Sequence, residues 1–303
     1  MNNLNKIEEI CVKYRADYRK NEILAPYTTF KIGGACDILV RINSVEVLSE
    51  AVKYCKSADM PYHVIGKGSN ILVSDGGVRG AVLLLGSDFT GISVSGGIVS
   101  CQAGAALSSV CVAARDHSLS GLEFAYGIPG SVGGAVFMNA GAYGGEVSDV
   151  FLSCDYLDES GGFLIKTLER GESEFSYRKS PFTGTRNIIL SAKFKLNPGG
   201  RTKISADMDD FMLRRKTKQP LEYPSAGSTF KRPPGDYASR LIDICGLKGL
   251  SAGGAEVSEK HAGFIVNKGG ASCGDVLTLI EAVRERVFKE TGITLEKEVE
   301  VIS

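Results

Sequence analysis

Two stretches of this 303-residue chain combine glycine with small hydroxyl and amide side chains. The first is Gly66-Lys67-Gly68-Ser69-Asn70. The second runs from Gly127-Ile128-Pro129-Gly130-Ser131-Val132-Gly133-Gly134-Ala135 to Met138-Asn139-Ala140-Gly141-Ala142-Tyr143-Gly144-Gly145. Glycine takes up left-handed backbone without a Cβ clash and lets another group come close to the chain. Successive N–H groups in such turns can converge on an anion. Two turns of this kind could hold the two ends of a diphosphate. Either one alone reads equally well as a tight turn in a glycine-rich sheet protein; the pair favours a phosphate-bearing ligand.

Three polar positions could carry chemistry. Arg178, after Ser176-Tyr177, could grip a carboxylate as a bidentate fork. Ser228 lies in Ala226-Gly227-Ser228-Thr229-Phe230-Lys231, and Glu298 lies beside Lys297. Taken singly, each has an ordinary structural reading: a solvated arginine, a turn or cap serine, and a sheet-surface carboxylate paired with a lysine.

Other chemistries find less support. Gly66-Lys67-Gly68-Ser69-Asn70-Ile71 lacks the third glycine of a dinucleotide fingerprint, and Ile71-Leu72-Val73-Ser74 reads as extended rather than helical. No phosphate-binding loop of the Walker type occurs. Gly249-Leu250-Ser251-Ala252-Gly253 fits the hydrolase pattern GxSxG. A nucleophile elbow needs a strand before the serine, and Tyr237 to Cys245 reads as helix. The three histidines, His63, His117 and His261, are far apart, and no paired Cys/His spacing suggests a metal. The eight cysteines are scattered without a CxxC and read as buried free thiols.

Composition bounds the class. Hydrophobic residues make up 43% and charged residues 23%, as in ordinary globular proteins. With 35 basic and 35 acidic residues, no basic excess argues for nucleic acid. Glu8 and Glu9 stand where a signal peptide needs an apolar run. No stretch approaches the roughly 18 apolar residues of a membrane span. The expected compartment is the cytoplasm, with no membrane or nucleic-acid partner. Nothing in the composition fixes an oligomeric state, and a monomer is compatible with it.

The elements that must position these residues form an α+β pattern. Apolar periodicity predicts helices over 4–18, 45–55 and 107–117, and strands at 36–42, 62–65 and 81–85. Ser44 reads as a helix N-cap. Ile92 to Cys101 alternates around Gly96-Gly97 as a hairpin does, and 151–157 with 163–168 forms a second. A strand is expected at 187–196. The last third reads as helices at 203–216, 236–245 and 273–290, with strands at 262–267 and 294–302. Asn197-Pro198-Gly199-Gly200 marks a boundary.

The order of the motifs resembles the UDP-N-acetylenolpyruvoylglucosamine reductase family. It runs Thr28-Thr29-Phe30-Lys31-Ile32-Gly33-Gly34, then the first glycine turn, then Ile128 to Ala135 and Asn139 to Gly144. Ser176-Tyr177-Arg178, Ala226-Gly227-Ser228 and Leu295-Glu296-Lys297-Glu298-Val299 follow. The resemblance covers the chain from about residue 20. It implies a two-part FAD-binding domain of the vanillyl-alcohol-oxidase type, over 1–85 and 86–200, then a smaller α/β UDP-sugar domain over 201–303. It gives Gly66, Lys67, Gly68, Ser69, Asn70, Ile128, Pro129, Gly130, Ser131, Gly133, Gly134, Ala135 and Asn139 to the cofactor. Neither glycine segment contains the His or Cys that would tether a flavin, so FAD is expected to be non-covalent.

By resemblance NADPH is the reductant and the enolpyruvyl ether of a UDP-sugar is reduced. Hydride from flavin N5 goes to C3 of the alkene. Charge develops on C2 and the adjacent carboxylate, where Arg178, helped by Glu298, stabilises it. Glu298 is useful there protonated or hydrogen-bonded, so its pKa is expected to be raised. Ser228 gives the proton to C2. Tyr143, Lys218 and Arg232 are the implied substrate contacts. The short spacing from Arg178 to Ser228 lacks the tyrosine-bearing loop of one branch and resembles the shorter one. The alternative is a related FAD-dependent oxidase of an alcohol or amine.

Overall fold

The computed structural model describes residues 3–86, 89–172 and 174–303. The chain divides into two compact units, one of residues 1–20, 38–67 and 80–214, the other of 21–37, 68–79 and 215–303. These units interleave along the chain, whereas the domains expected from the sequence, 1–85, 86–200 and 201–303, are continuous.

The first unit is built on a five-stranded antiparallel sheet. Its order is Leu164–Glu169, Phe151–Asp158, Ile188–Lys195, Ile98–Gln102, Ile92–Ser95. Both hairpins expected from the alternating pattern are present, with Gly96-Gly97 forming the two-residue turn of one. Helix Leu107–Asp116 buries Leu107, Val110, Cys111 and Ala114, a 3.6-residue stripe read correctly from sequence. Helices Asn3–Tyr14 and Val45–Ser57 share one apolar cluster through Ile7, Ile10 and Cys11 on the one, and Val47, Leu48, Ala51, Val52 and Cys55 on the other. Ser44 caps the second helix as expected, its Oγ accepting from the Val47 N–H at 3.4 Å. A further sheet is ordered Tyr18–Ile23, Ala35–Ile42, Val78–Leu85, Tyr62–Ile65, with the last two strands parallel. The strand Tyr62–Ile65 runs directly into the first glycine turn.

The second unit has a four-stranded antiparallel sheet ordered Ser225–Ser228, Phe264–Asn267, Ala255–Val257, Ser251–Ala252. A separate parallel pair joins Glu300–Ile302 to Ile71–Val73. Helices Ala238–Ile244 and Cys273–Thr291 pack Leu241, Ile242, Val276, Ile280, Val283 and Val287 into one core with Phe30, Leu72 and Leu295. The strand expected over 294–302 is regular only at Glu300–Ile302; upstream, Lys297 makes a lone bridge to Phe230. Leu295 and Val299 are nonetheless buried as the alternation required. The segment Ile71–Val73 is a strand, so the dinucleotide-type turn into a helix is absent there.

Seven of the eight cysteines are buried and all eight are free. Burial pushes the thiols of Cys11, Cys55, Cys101 and Cys154 up to about 12. Such thiols are inert at neutral pH. Among the described residues no helix is long and apolar enough to cross a membrane.

The long helix Cys273–Thr291 starts in a doubled cap. Ser272 Oγ accepts from the Asp275 N–H at 3.0 Å while the Asp275 carboxylate accepts from the Ser272 N–H at 3.0 Å. Asp75, just after strand Ile71–Val73, adds its own carboxylate, accepting from the Cys273 and Gly274 N–H groups at 2.7 and 3.0 Å. Asp75→Ala leaves two donors at the positive end of the helix dipole unanswered and should cost about 1–2 kcal/mol in urea denaturation. The N–H groups of Ser272 and Gly254 hold the Asp275 carboxyl below the usual aspartate range. A depressed folded value means that its stabilisation is complete above that range and is lost as pH falls through the lower value. The denaturation midpoint should therefore decline on acidification, and Asp275→Asn should flatten that decline.

Candidate active site

In the first unit the two glycine segments touch. A Cβ on Gly66 would fall onto the Ser131 hydroxyl, so only glycine allows this approach. Ser131 opens the short helix Val132–Phe137, its Oγ accepting from the Gly134 N–H at 3.5 Å, and its backbone bridges to Ala106. The sequence reading treated this stretch as turns and missed the helix; Ser131 before a run of small residues was the available cap signal. The N–H groups of Gly130, Val132, Gly133 and Ala135 donate to the carbonyls of Ile128, Ala105, Ala103 and Ser131. Most donors of the second segment thus serve the protein itself.

The first turn differs. Among the described residues the N–H groups of Lys67, Gly68 and Ser69 have no protein acceptor, and Gly68 is buried. The buried Gly68 donor needs a partner, and three unanswered N–H groups in succession suit an anionic group such as a diphosphate. This is the fit that the FAD expectation requires.

Arg178 sits at the tip of a two-residue turn, closed by Ser176 N–H to Lys179 O at 3.1 Å and Lys179 N–H to Ser176 O at 3.0 Å. Its φ is 56°, a left-handed conformation that costs a non-glycine residue about 1–2 kcal/mol. Its Nη2 donates to Gly141 O at 3.1 Å, and its Cζ lies 4.8 Å over the Tyr177 ring. Asn139, which the resemblance gave to the cofactor, is fully buried, and its side chain is used by protein. Nδ2 donates to Ser176 O at 3.0 Å and Oδ1 accepts from the Ser148 N–H at 2.9 Å. Tyr143 is exposed and stacks on Phe211 with centroids 4.8 Å apart.

The second unit pairs Thr229, the residue after Ser228, with Glu298. Ser225 lies opposite Val266 and Ser228 opposite Phe264, three steps against two. The extra residue is a bulge, with Gly227 at φ 78°, and a bulge turns the next side chain. Ser228 is exposed at its end. One residue on, Thr229 O accepts from the Glu298 N–H at 2.8 Å, and Lys231 N–H donates to Glu296 O at 2.8 Å. The Lys231 ammonium reaches the Glu296 carboxylate at 2.5 Å, so the lysine that pairs with a carboxylate here serves Glu296. Asn70 Nδ2 donates to Glu298 O at 3.1 Å, and the Glu300 N–H donates to Asn70 O at 2.9 Å. Thr29 completes the cluster: its N–H donates to Gly68 O at 3.0 Å and its Oγ1 to Ser225 O at 2.7 Å. Thr29 was quoted as part of a motif but given no role; only contact across 196 residues reveals one.

The remaining positions are less drawn in. Lys218 ends helix Arg201–Lys218 and is exposed. Arg232 places its Cζ 4.4 Å over the Tyr237 ring. Burial lowers the His261 pKa, and its Nδ1 accepts from the Gly263 N–H at 3.2 Å. The hydrolase reading fails on geometry. Ser251 lies in the two-residue strand Ser251–Ala252, which turns at Gly253-Gly254 into strand Ala255–Val257 rather than into a helix.

Comparison with known proteins identifies relatives over the whole length. A family model described as FAD binding domain matches residues 36–167. One described as UDP-N-acetylenolpyruvoylglucosamine reductase, C-terminal domain, matches residues 219–302. The UDP-N-acetylenolpyruvoylglucosamine reductase of Clostridium novyi is 46% identical over 98% of this chain and 95% of its own. That of Lactococcus lactis subsp. cremoris is 46% identical over 99% and 97%. The crystal structure of the enzyme from Thermus caldophilus superposes with a TM-score of 0.80 at 37% identity, covering 95% of this chain and 99% of that one. A variant of Phl p 4, a glucose oxidase, has a TM-score of 0.51 at 14% identity over 66% of this chain and 45% of its own, a likeness of fold.

The Gly66–Ser131 approach can be tested without ligand. Gly66→Ala should push Ser131 off its cap and destabilise the protein by about 1–3 kcal/mol, the usual cost of overpacking. In a double-mutant cycle with Ser131→Ala the two losses should be non-additive, as for residues in contact.

Proposed function

The chain belongs to the UDP-N-acetylenolpyruvoylglucosamine reductase family, and we propose that it reduces the enolpyruvyl ether of UDP-N-acetylglucosamine-enolpyruvate to UDP-N-acetylmuramate with NADPH, in peptidoglycan precursor synthesis. The single observation that supports the site is the backbone bond from the Glu298 N–H to Thr229 O, 2.8 Å long, which joins the strand of Glu298 to the residue next to Ser228. An oxidase of the same fold would not call for a proton donor and a carboxylate at these two places.

The chemistry that non-covalent FAD supplies when bound is hydride transfer, taken from NADPH and delivered to C3 of the alkene. The unanswered N–H groups of Lys67, Gly68 and Ser69 hold its diphosphate, with the exposed Gly134 leaving room for close approach. Arg178 receives the substrate carboxylate and stabilises the charge that develops there, since a guanidinium in a water-poor site is worth more than in bulk water. Glu298 assists it. Ser228 gives its hydroxyl proton to C2, as general acid. Tyr143, Lys218 and Arg232 meet the sugar nucleotide. Apart from Arg178 and Tyr143, residues 1–85 and 86–200 serve the flavin and 201–303 the UDP-sugar. The reaction belongs in the cytoplasm and feeds cell-wall growth, and hence cell shape and division.

Purified protein should be yellow, bleach on anaerobic addition of NADPH, and recover its colour on addition of the enolpyruvyl UDP-sugar. Ser228→Ala should keep its flavin and its bleaching rate while recovery slows about 10²-fold or more, the scale of a lost general acid. Wild-type recovery in that variant would end the assignment of Ser228; a colourless folded protein would end the flavoenzyme reading altogether.

A further inference from the structure

We propose that Asn139 and Ser180 are positioning residues that moor the Arg178 turn to the second glycine segment. The inference rests on the reading of Arg178 given above. Hydrogen bonds join residues 137–141 to residues 176–180. Asn139 Nδ2 donates to Ser176 O at 3.0 Å, Ser180 Oγ donates to Phe137 O at 2.7 Å, and Arg178 Nη2 donates to Gly141 O at 3.1 Å. The first two bracket the turn, one on the carbonyl that opens it and one immediately after it closes.

The bracketing matters because the turn lies at the surface. Ser176, Tyr177 and Lys179 are exposed, so no apolar packing fixes their backbone. Arg178 itself is left-handed, a state that persists only where the surroundings impose it. Asn139 is built for the task. It is fully buried, itself left-handed at φ 42°, and spends its carbonyl on the Ser148 N–H, which fixes which way the amide points. Toward the Arg178 turn it offers the donor to Ser176 O. Ser180 is likewise buried, and its Oγ also accepts from the Phe182 N–H at 3.2 Å.

Asn139→Asp is the sharpest probe. Aspartate tolerates the left-handed backbone, keeps the acceptor for Ser148, and, ionised, replaces the donor to Ser176 O with a carboxylate oxygen, so the bond becomes a repulsion. Ser180→Ala is the second variant. In flavin-loaded protein, amide exchange of Ser176 and Lys179 should quicken at least tenfold in either variant. Reduction by NADPH should stay within twofold of wild type, while reoxidation by the enolpyruvyl UDP-sugar slows about tenfold or more. In an Arg178→Ala background, Asn139→Asp should add less than a twofold further loss. Unchanged exchange at Ser176 and Lys179 in both variants would overturn the mooring, as would a full Asn139→Asp penalty persisting without Arg178. A parallel fall in flavin content and in both half-reactions would mean a general structural role and would overturn it too. Wild-type reoxidation in Arg178→Ala would instead remove the catalytic reading of Arg178, and the exchange rates would still decide the mooring.

Discussion

The backbone bond between Thr229 and Glu298 is the constraint on which the roles proposed for Ser228 and Glu298 depend. Ser228 and Glu298 are 70 positions apart in the chain, and neither has a local reason to be functional. Antiparallel pairing of 229–231 with 296–298 sets Thr229 opposite Glu298, which brings Ser228 to within one residue of the position facing that glutamate. The bulge at Gly227 then decides which way Ser228 faces. Without the extra residue, the period of two would carry the next side chain to the opposite face. Burial of Leu295 and Val299 anchors the other half of the pairing, so the core fixes the register of Glu298 between them.

The glycines divide into two kinds of service. Gly66 is required by the approach of Ser131, and most N–H groups of the second segment are satisfied by Ala103, Ala105, Ile128 and Ser131. These positions shape the protein. Lys67, Gly68 and Ser69 are left with donors that no described protein group answers. Counting glycines cannot separate the two kinds, since both leave the same trace in sequence. Only the fate of each N–H does.

Elements with strong periodicity were legible in the chain itself. The stripe Leu107, Val110, Cys111, Ala114 and the Ser44 cap appear where the residues put them, because both are local effects. The strand over 294–302 was legible in its burial and not in its pairing: alternation records which side is buried but not where a partner strand is available. The helix Val132–Phe137 was hidden because glycine weakens the propensity signal while tertiary contact overrides it. The site residues Arg178, Ser228 and Glu298 were individually unpersuasive, and only their ordered motifs raised them. Thr29 had no signal at all, since its partners Gly68 and Ser225 come from distant parts of the chain.

A side chain that must meet a ligand cannot spend its polar atoms on the fold, and it cannot be buried in apolar packing either. Its position has to be imposed through the main chain beneath it. The structure does this repeatedly with short amide and hydroxyl side chains aimed at carbonyls: Asn70 at Glu298 O, Thr29 at Ser225 O, Asn139 at Ser176 O, Ser180 at Phe137 O. Each bond restrains the backbone at or near a candidate residue of the site. Arg178 departs from the pattern by lending one N–H to Gly141 O, which a guanidinium with five donors can do and still present a fork to a carboxylate. Short polar residues are therefore as much a part of the site as the groups that do the chemistry, because a fork or hydroxyl displaced by about 1 Å loses most of its catalytic value.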